Sequence, residues 1–255
     1  SEWWDIELVF LPEQGAEESA EGRTEAGMKR KAVVAGATGL VGSELVRQLL
    51  EDEAYGTVVS LVRRKTGVVH PKLREILTDY RALVAGNGEP TADRLDLAGA
   101  DVFCALGTTI KKAGTQAAFR EVDYEYPLAL GRLAKAQGAA RFLIVTSLGA
   151  DPASRIFYSR VKGEVEEALR QLELPALDLF RPSLLLGKRQ EFRFGERVAT
   201  AIMPWFSALL GKYRPVHART VAAAMIRAAK SGGMGVCIHE SHRIRELAGE
   251  EKGTS

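Results

Sequence analysis

The chain has 255 residues, 46% hydrophobic and 27% charged, which describes an ordinary globular protein with enough apolar material for a full core. Its apolar runs are too short and too interrupted to cross a bilayer. Two cysteines and four scattered histidines give neither a disulfide framework nor a zinc-ligand set, so no membrane span and no metal are expected, and the setting is expected to be the reducing cytoplasm. The net charge of +2 is uneven: residues 1–27 carry −7 and the remainder +9. That excess is spread along the chain rather than gathered into a basic helix, so cofactor phosphates account for it more economically than nucleic acid does.

Residues 1–27 open with Trp3, Trp4 and an apolar run from Ile6 to Leu11, then continue from Glu13 to Gly27 without a large apolar side chain. This acidic extension is expected to be flexible in its second part, with the tryptophan segment adding a strand or docking on the body. Met28, just ahead of Lys29-Arg30-Lys31, reads as the natural start of a single domain over 28–255.

The first strand, Lys31 to Ala35, runs into Gly36-Ala37-Thr38-Gly39-Leu40-Val41-Gly42. Three glycines at three-residue spacing between a strand and a helix form a dinucleotide phosphate loop, because side chains there would block a pyrophosphate approaching the free N–H groups of the helix. The helix from Gly39 to Glu51 is amphipathic: Val41, Leu45, Val46, Leu49 and Leu50 share one face, with Glu44, Arg47 and Gln48 outward.

Strand-like segments at Thr57–Val62, Glu75–Thr78, Asp101–Ala105, Arg141–Thr146 and Leu177–Phe180 alternate with helical patterns within Thr115–Gln137, over Tyr158–Leu172 and near Thr220–Ala229. The alternation predicts a Rossmann-like, doubly wound parallel α/β sheet. An interrupted helical region from Phe192 to Leu210 belongs to a substrate-covering stretch around 187–215.

At the end of the second strand, where an acid would bind a ribose 2′-hydroxyl, stand Arg63 and Arg64. A guanidinium pairs with a 2′-phosphate in bidentate geometry, so NADP(H) is favoured over NAD(H). Asp79, after the third strand, is placed to receive the adenine amino group. The fourth strand delivers Cys104-Ala105-Leu106-Gly107, whose small residues let backbone lie along a ribose and nicotinamide.

Tyr158 and Lys162 are an i, i+4 pair on one helix face, with Ser147 at the end of the fifth strand. An ammonium near the phenol favours the phenolate and lowers its pKa, and the serine hydroxyl can hold a carbonyl oxygen. Ser147, Tyr158 and Lys162 are therefore the expected catalytic set.

These residues resemble the short-chain dehydrogenase/reductase superfamily in its atypical, extended branch. More narrowly, Cys104–Thr109, Lys112-Ala113-Gly114, Val122-Asp123, Ser147–Asp151, Tyr158–Glu166 and Phe180-Arg181-Pro182 look like the Tat-interacting-protein oxidoreductase family. The resemblance implies an NADP(H)-dependent oxidoreductase of carbonyl reductase type acting on a small carbonyl or alcohol. It implies cofactor contacts from Gly36, Thr38, Gly39, Leu40, Val41, Gly42, Arg63, Arg64, Asp79, Cys104, Leu106, Gly107, Tyr158, Lys162 and Arg181, and a covering region walled by Arg193, Trp205, Phe206, Tyr213 and Arg214. One departure stands out: the superfamily's relay asparagine is missing, since the chain's only asparagine, Asn87, lies in a loop before the fourth strand. That absence, with regulatory relatives in the family, motivates the alternative of a non-catalytic NADPH-sensing module that binds a protein partner. An oligomer is compatible with either.

Overall fold

The computed structural model describes residues 29–86, 95–186 and 215–250. The expectations for 1–27, Asn87, Arg193, Trp205, Phe206, Tyr213, Arg214 and the Phe192–Leu210 helical region lie outside the described residues.

The chain alternates β1 (Arg30–Ala35), α1 (Leu40–Glu51), β2 (Tyr55–Val62), β3 (Leu73–Leu77), α2 (Tyr80–Ala85) and β4 (Asp101–Cys104). Two short helices follow, α3 (Ile110–Ala113) and α4 (Gln116–Arg120), then one turn of π-helix (Glu121–Glu125) and α5 (Tyr126–Ala136). The chain goes on through β5 (Arg141–Val145), α6 (Phe157–Arg170), β6 (Ala176–Arg181), β7 (Leu185–Leu186), β8 (Val216–His217), α7 (Ala218–Lys230), β9 (Gly235–Glu240) and α8 (Ser241–Ala248). Seven strands form one sheet in the order β3-β2-β1-β4-β5-β6-β9, parallel throughout, while β7 and β8 pair separately. The doubly wound fold is present as the alternation predicts.

Parallel strands covered on both faces must be apolar on both faces, and β1 shows it. Ala32 and Val34 pack with α1, α7 and α8; Val33 and Ala35 join the opposite cluster with α5 and α6. The expected apolar stripe of α1 supplies buried Val41, Leu45 and Leu49. Order reverses between β1 and β4, which opens a crevice at their carboxyl ends, where open α/β sheets bind ligands.

Six elements were not anticipated: α2, α3, β7, β8, β9 and α8. In β9 the apolar Val236 and Ile238 are exposed at the sheet edge while Cys237 and His239 are half-buried, so its apolar alternation runs opposite to a core-facing pattern. At the sheet edge away from the crevice, buried Asp101 takes a bidentate bond from Arg30 (2.8 and 3.0 Å) and one from the Tyr55 hydroxyl (2.8 Å).

Burial raises the Tyr55 and Tyr80 phenols above their ordinary range and pushes the Cys104 thiol up to about 12. The folded chain thus keeps protons that the unfolded chain releases, from about pH 9 for the thiol and pH 10 for the phenols. Where the unfolded state binds fewer protons, stability falls as pH rises. Thermal unfolding followed by circular dichroism should therefore give a flat midpoint near neutrality and a falling one above about pH 9, by about 1.4 kcal/mol per pH unit for each such group. A midpoint that stays level to pH 10.5 would contradict the burial of these groups.

Candidate functional site

The loop between β1 and α1 is shaped by close backbone approach. Gly36 has φ +80°, and a Cβ there would stand 2.5 Å from the Ala105 carbonyl oxygen. A Cβ on Gly42 would stand 2.0 Å from the Gly36 carbonyl oxygen. Both positions admit only glycine without moving main chain, which brings β1, the β4 exit and the start of α1 into one cradle. Gly39 caps α1 without a side chain, and the first helical bond is Ser43 N–H to Gly39 O at 2.9 Å. The N–H groups of Leu40, Val41 and Gly42 precede that bond at the positive end of the helix dipole, where phosphate is favoured.

A cleft of about 900 Å³ lies over this cradle. Its lining takes Gly36, Thr38 and Gly39 from the loop, Leu61, Val62 and Arg63 from the end of β2, and Thr78 to Arg81 from the β3–α2 junction. The other wall is Ala105 to Thr108, Lys112, Ala113, Ala118, Glu121, Val122 and Tyr126. Tyr80 and Tyr126 stack with centroids 5.3 Å apart, and Arg81 pairs with Glu121 at 2.6 Å, linking α2 to the π-turn. Besides that pair, the lining carries the cations Arg63 and Lys112 and the carboxylate of Asp79.

The glycine cradle, the uncapped helix start and these cations fit a dinucleotide. When bound, a nicotinamide cofactor would supply or accept the hydride.

The other chemistry gathers behind Gly107. Lys162, buried on α6, has its ammonium 2.7 Å from Oδ1 of buried Asp123 in the π-turn. A Cβ on Gly107 would lie 3.4 Å from that oxygen and 3.7 Å from Lys162 Nζ, so the pair sits directly under the cleft wall. Burial works against the ammonium, but the Asp123 carboxylate and the Tyr158 phenol outweigh it, and Lys162 holds its proton more firmly than an ordinary lysine. Tyr158, in the first turn of α6, tilts against Phe119 with centroids 5.5 Å apart, and Lys162 Nζ lies 6.0 Å from the tyrosine ring centre. Ser147 follows β5, its Oγ buried without a hydrogen-bond partner. The loop after it is fixed by Leu148 N–H to Pro182 O (2.8 Å) and Asp151 N–H to Ser159 O (3.1 Å), the second of which ties it to α6 beside Tyr158.

Of the residues expected at the cofactor, Gly36, Thr38, Gly39, Arg63, Asp79, Leu106 and Gly107 line the cleft. Several others stand elsewhere. Val41 and Gly42 are buried beneath the loop, Leu40 and Arg64 are outside the lining, and Cys104 is fully buried within β4. Arg181 is outside this lining: its guanidinium is held by the buried Glu166 carboxylate (3.0 and 2.5 Å), which also takes the Thr146 hydroxyl (2.6 Å). A carboxylate arriving from α6 decides that, and the Arg-Pro pattern does not reveal it. Asp79 is at the cleft, but its Oδ1 caps α2 by accepting from Arg81 and Ala82 N–H, so one of its oxygens is committed to the helix. Sequence reasoning missed Tyr80, Arg81, Glu121 and Tyr126. The capping acid before an apolar helical pattern was the signal for α2, and no local signal announced the stack.

A family model described as NAD(P)H-binding matches residues 36–183, more than half of the chain. Protein HTATIP2 of Rattus norvegicus is 34% identical over 82% of this chain and 85% of its own length. The FMP52 protein of Eremothecium gossypii is 31% identical over 86% of this chain and 98% of its own length. A short-chain dehydrogenase family protein from Francisella tularensis superposes with a TM-score of 0.59 at 13% identity, covering 85% of this chain and 99% of its own. That likeness concerns the fold.

The expected cytoplasmic setting is overturned by these relatives, because FMP52 proteins of several fungi are named mitochondrial. Unpaired cysteines report a reducing environment, and that property does not distinguish one compartment from another. Among the described residues, no helix is long and apolar enough to cross a membrane. With a glycine cradle at the β1–β4 crevice, a matched model over 36–183 and a relative 34% identical along most of its length, the chain belongs to the NAD(P)H-binding family that includes HTATIP2, on a short-chain dehydrogenase fold.

Proposed function

We propose that the protein is an NADP(H)-dependent oxidoreductase that interconverts a small carbonyl compound and its alcohol. The observation that carries this reading is the buried Lys162 ammonium under Gly107, a residue of the cleft wall, on the same helix face as Tyr158. In this reading Ser147, whose buried hydroxyl lacks a partner, donates to the carbonyl oxygen and fixes its position. Tyr158 transfers the proton to or from that oxygen, and Lys162 holds the local positive charge that makes the transfer possible near neutral pH.

Arg63, in the cleft lining at the end of β2, supports NADP(H) over NAD(H) as the first candidate for the 2′-phosphate. A charge-assisted pair of this kind is worth about 1.5–3 kcal/mol, roughly ten- to a hundredfold in affinity. Thermal-shift titration should show stronger stabilisation by NADPH than by NADH, and Arg63→Ala should remove most of that difference while sparing NADH binding. Equal stabilisation of the unmodified protein by both cofactors would end the argument for NADP(H). Tight NADPH binding with no turnover on any aldehyde, ketone or alcohol of a broad panel would instead favour a sensing module.

A further inference from the structure

We propose that Asp123 is the positioning residue that stands in for the missing asparagine: it fixes Lys162 and the Gly107–Thr108 wall together, and its charge biases Tyr158 toward the proton-bearing form that carbonyl reduction needs. The proposal rests on the reading of Tyr158 as the proton-transferring group.

The local chain explains why Asp123 is where it is. Pro127 has no N–H to offer the carbonyl four residues back, which is that of Asp123, and its ring would clash with it. The helix opens by one residue here instead, with Tyr126 N–H reaching the Glu121 carbonyl. The widened turn carries the Asp123 side chain inward, where it is 1% exposed. One carboxylate oxygen accepts the Thr108 N–H at 2.9 Å, which ties it to the cleft wall. The other lies 2.7 Å from Lys162 Nζ, beside Gly107, and forms a buried ion pair with it. A single carboxylate thus joins π-turn, cleft wall and α6.

The charge consequence follows from counting. The groups gathered here are the Asp123 carboxylate, the Lys162 ammonium, the Tyr158 phenol and the Cys104 thiol, the last neutral because burial pushes it up to about 12. With Asp123 present, the set is neutral when Tyr158 carries its proton and −1 when it does not. Without that carboxylate the set is +1 and becomes neutral on ionisation. Asp123 and Lys162 are buried, so their charges are weakly screened, and a nearby anion disfavours a second one: Asp123 opposes phenolate and its removal favours it. In the reducing direction the carbonyl carbon gains hydride from the reduced cofactor and the oxygen gains the phenolic proton, leaving alcohol, oxidised cofactor and phenolate. The phenolate then recovers a proton from solvent. A site that keeps Tyr158 protonated favours that direction.

Asp123→Asn preserves shape and an acceptor for Thr108 N–H while deleting the charge. Phenolate absorbance should be titrated in the parent and in Asp123→Asn, each with its Tyr158→Phe counterpart subtracted, so that only Tyr158 is read. The signal is expected to move to lower pH by roughly one unit in the Asn background. An unmoved signal, or one moved to higher pH, overturns the proposal. If Asp123→Asn does not fold, Asp123→Ser, which also lacks the charge but keeps an oxygen, is read in the same way. The titration needs no turnover: if the parent reduces no carbonyl compound while the signal moves, the oxidoreductase reading fails and the charge role of Asp123 stands.

Discussion

Tyr158→Phe is expected to lower kcat for carbonyl reduction by about 10²- to 10⁴-fold, the range by which a positioned proton donor contributes. NADPH affinity should stay within a few-fold of the parent. The substitution removes one hydroxyl and keeps the ring that packs on Phe119, so the first turn of α6 and the Lys162 stem beneath it retain their contacts. Steady-state NADPH oxidation across a panel of aldehydes and ketones gives kcat, and NADPH fluorescence gives the dissociation constant. A loss confined to kcat marks an interaction made in the transition state. Unchanged turnover would remove Tyr158 from the chemistry. A parallel fall in cofactor affinity would instead mark a packing defect.

The second large effect concerns the loop. Gly42→Val should abolish measurable NADPH binding and lower the unfolding midpoint, because its Cβ would meet the Gly36 carbonyl oxygen at 2.0 Å, the Gly36 carbonyl carbon at 2.6 Å and the Ala37 Cα at 3.0 Å. Those atoms are backbone and cannot swing aside as a flexible side chain does. Either α1 shifts away from the loop or the loop leaves the crevice. Forced overpacking of this kind costs about 1–3 kcal/mol in stability. Gly67→Ala is the matched control: φ there is +81°, but nothing lies within 4 Å of the added carbon. It carries backbone strain without a clash and lies outside the cleft lining, so NADPH binding should survive. Isothermal titration on both variants, with melts by circular dichroism, separates the two causes. Intact cofactor binding by Gly42→Val would refute the cradle.

Both effects were legible because they rest on local chemistry. The loop is read from glycine spacing between an apolar strand and an amphipathic helix, and Tyr158 and Lys162 share a face by helical period alone. Arg63 likewise follows from its place at the end of a strand. By contrast, β9 was hidden because its large apolar side chains point outward at an edge, leaving no core alternation to count. The pairing of Arg181 with Glu166 was hidden because its buried partner lies on another element.

Asp123 shows the division most clearly. Its place in Val122-Asp123 carried a family resemblance but assigned it no role. The sequence by itself determined β1 to β6, the amphipathic helices α1, α5, α6 and α7, the glycine loop and the Ser147, Tyr158 and Lys162 candidates, since periodicity and turn chemistry act over a few residues. Only the tertiary structure decided which charges meet: Asp123 with Lys162, Glu166 with Arg181, Arg81 with Glu121. Those pairings join residues from different elements, and sheet order with helix packing sets their distances. Pattern within one segment has no access to them.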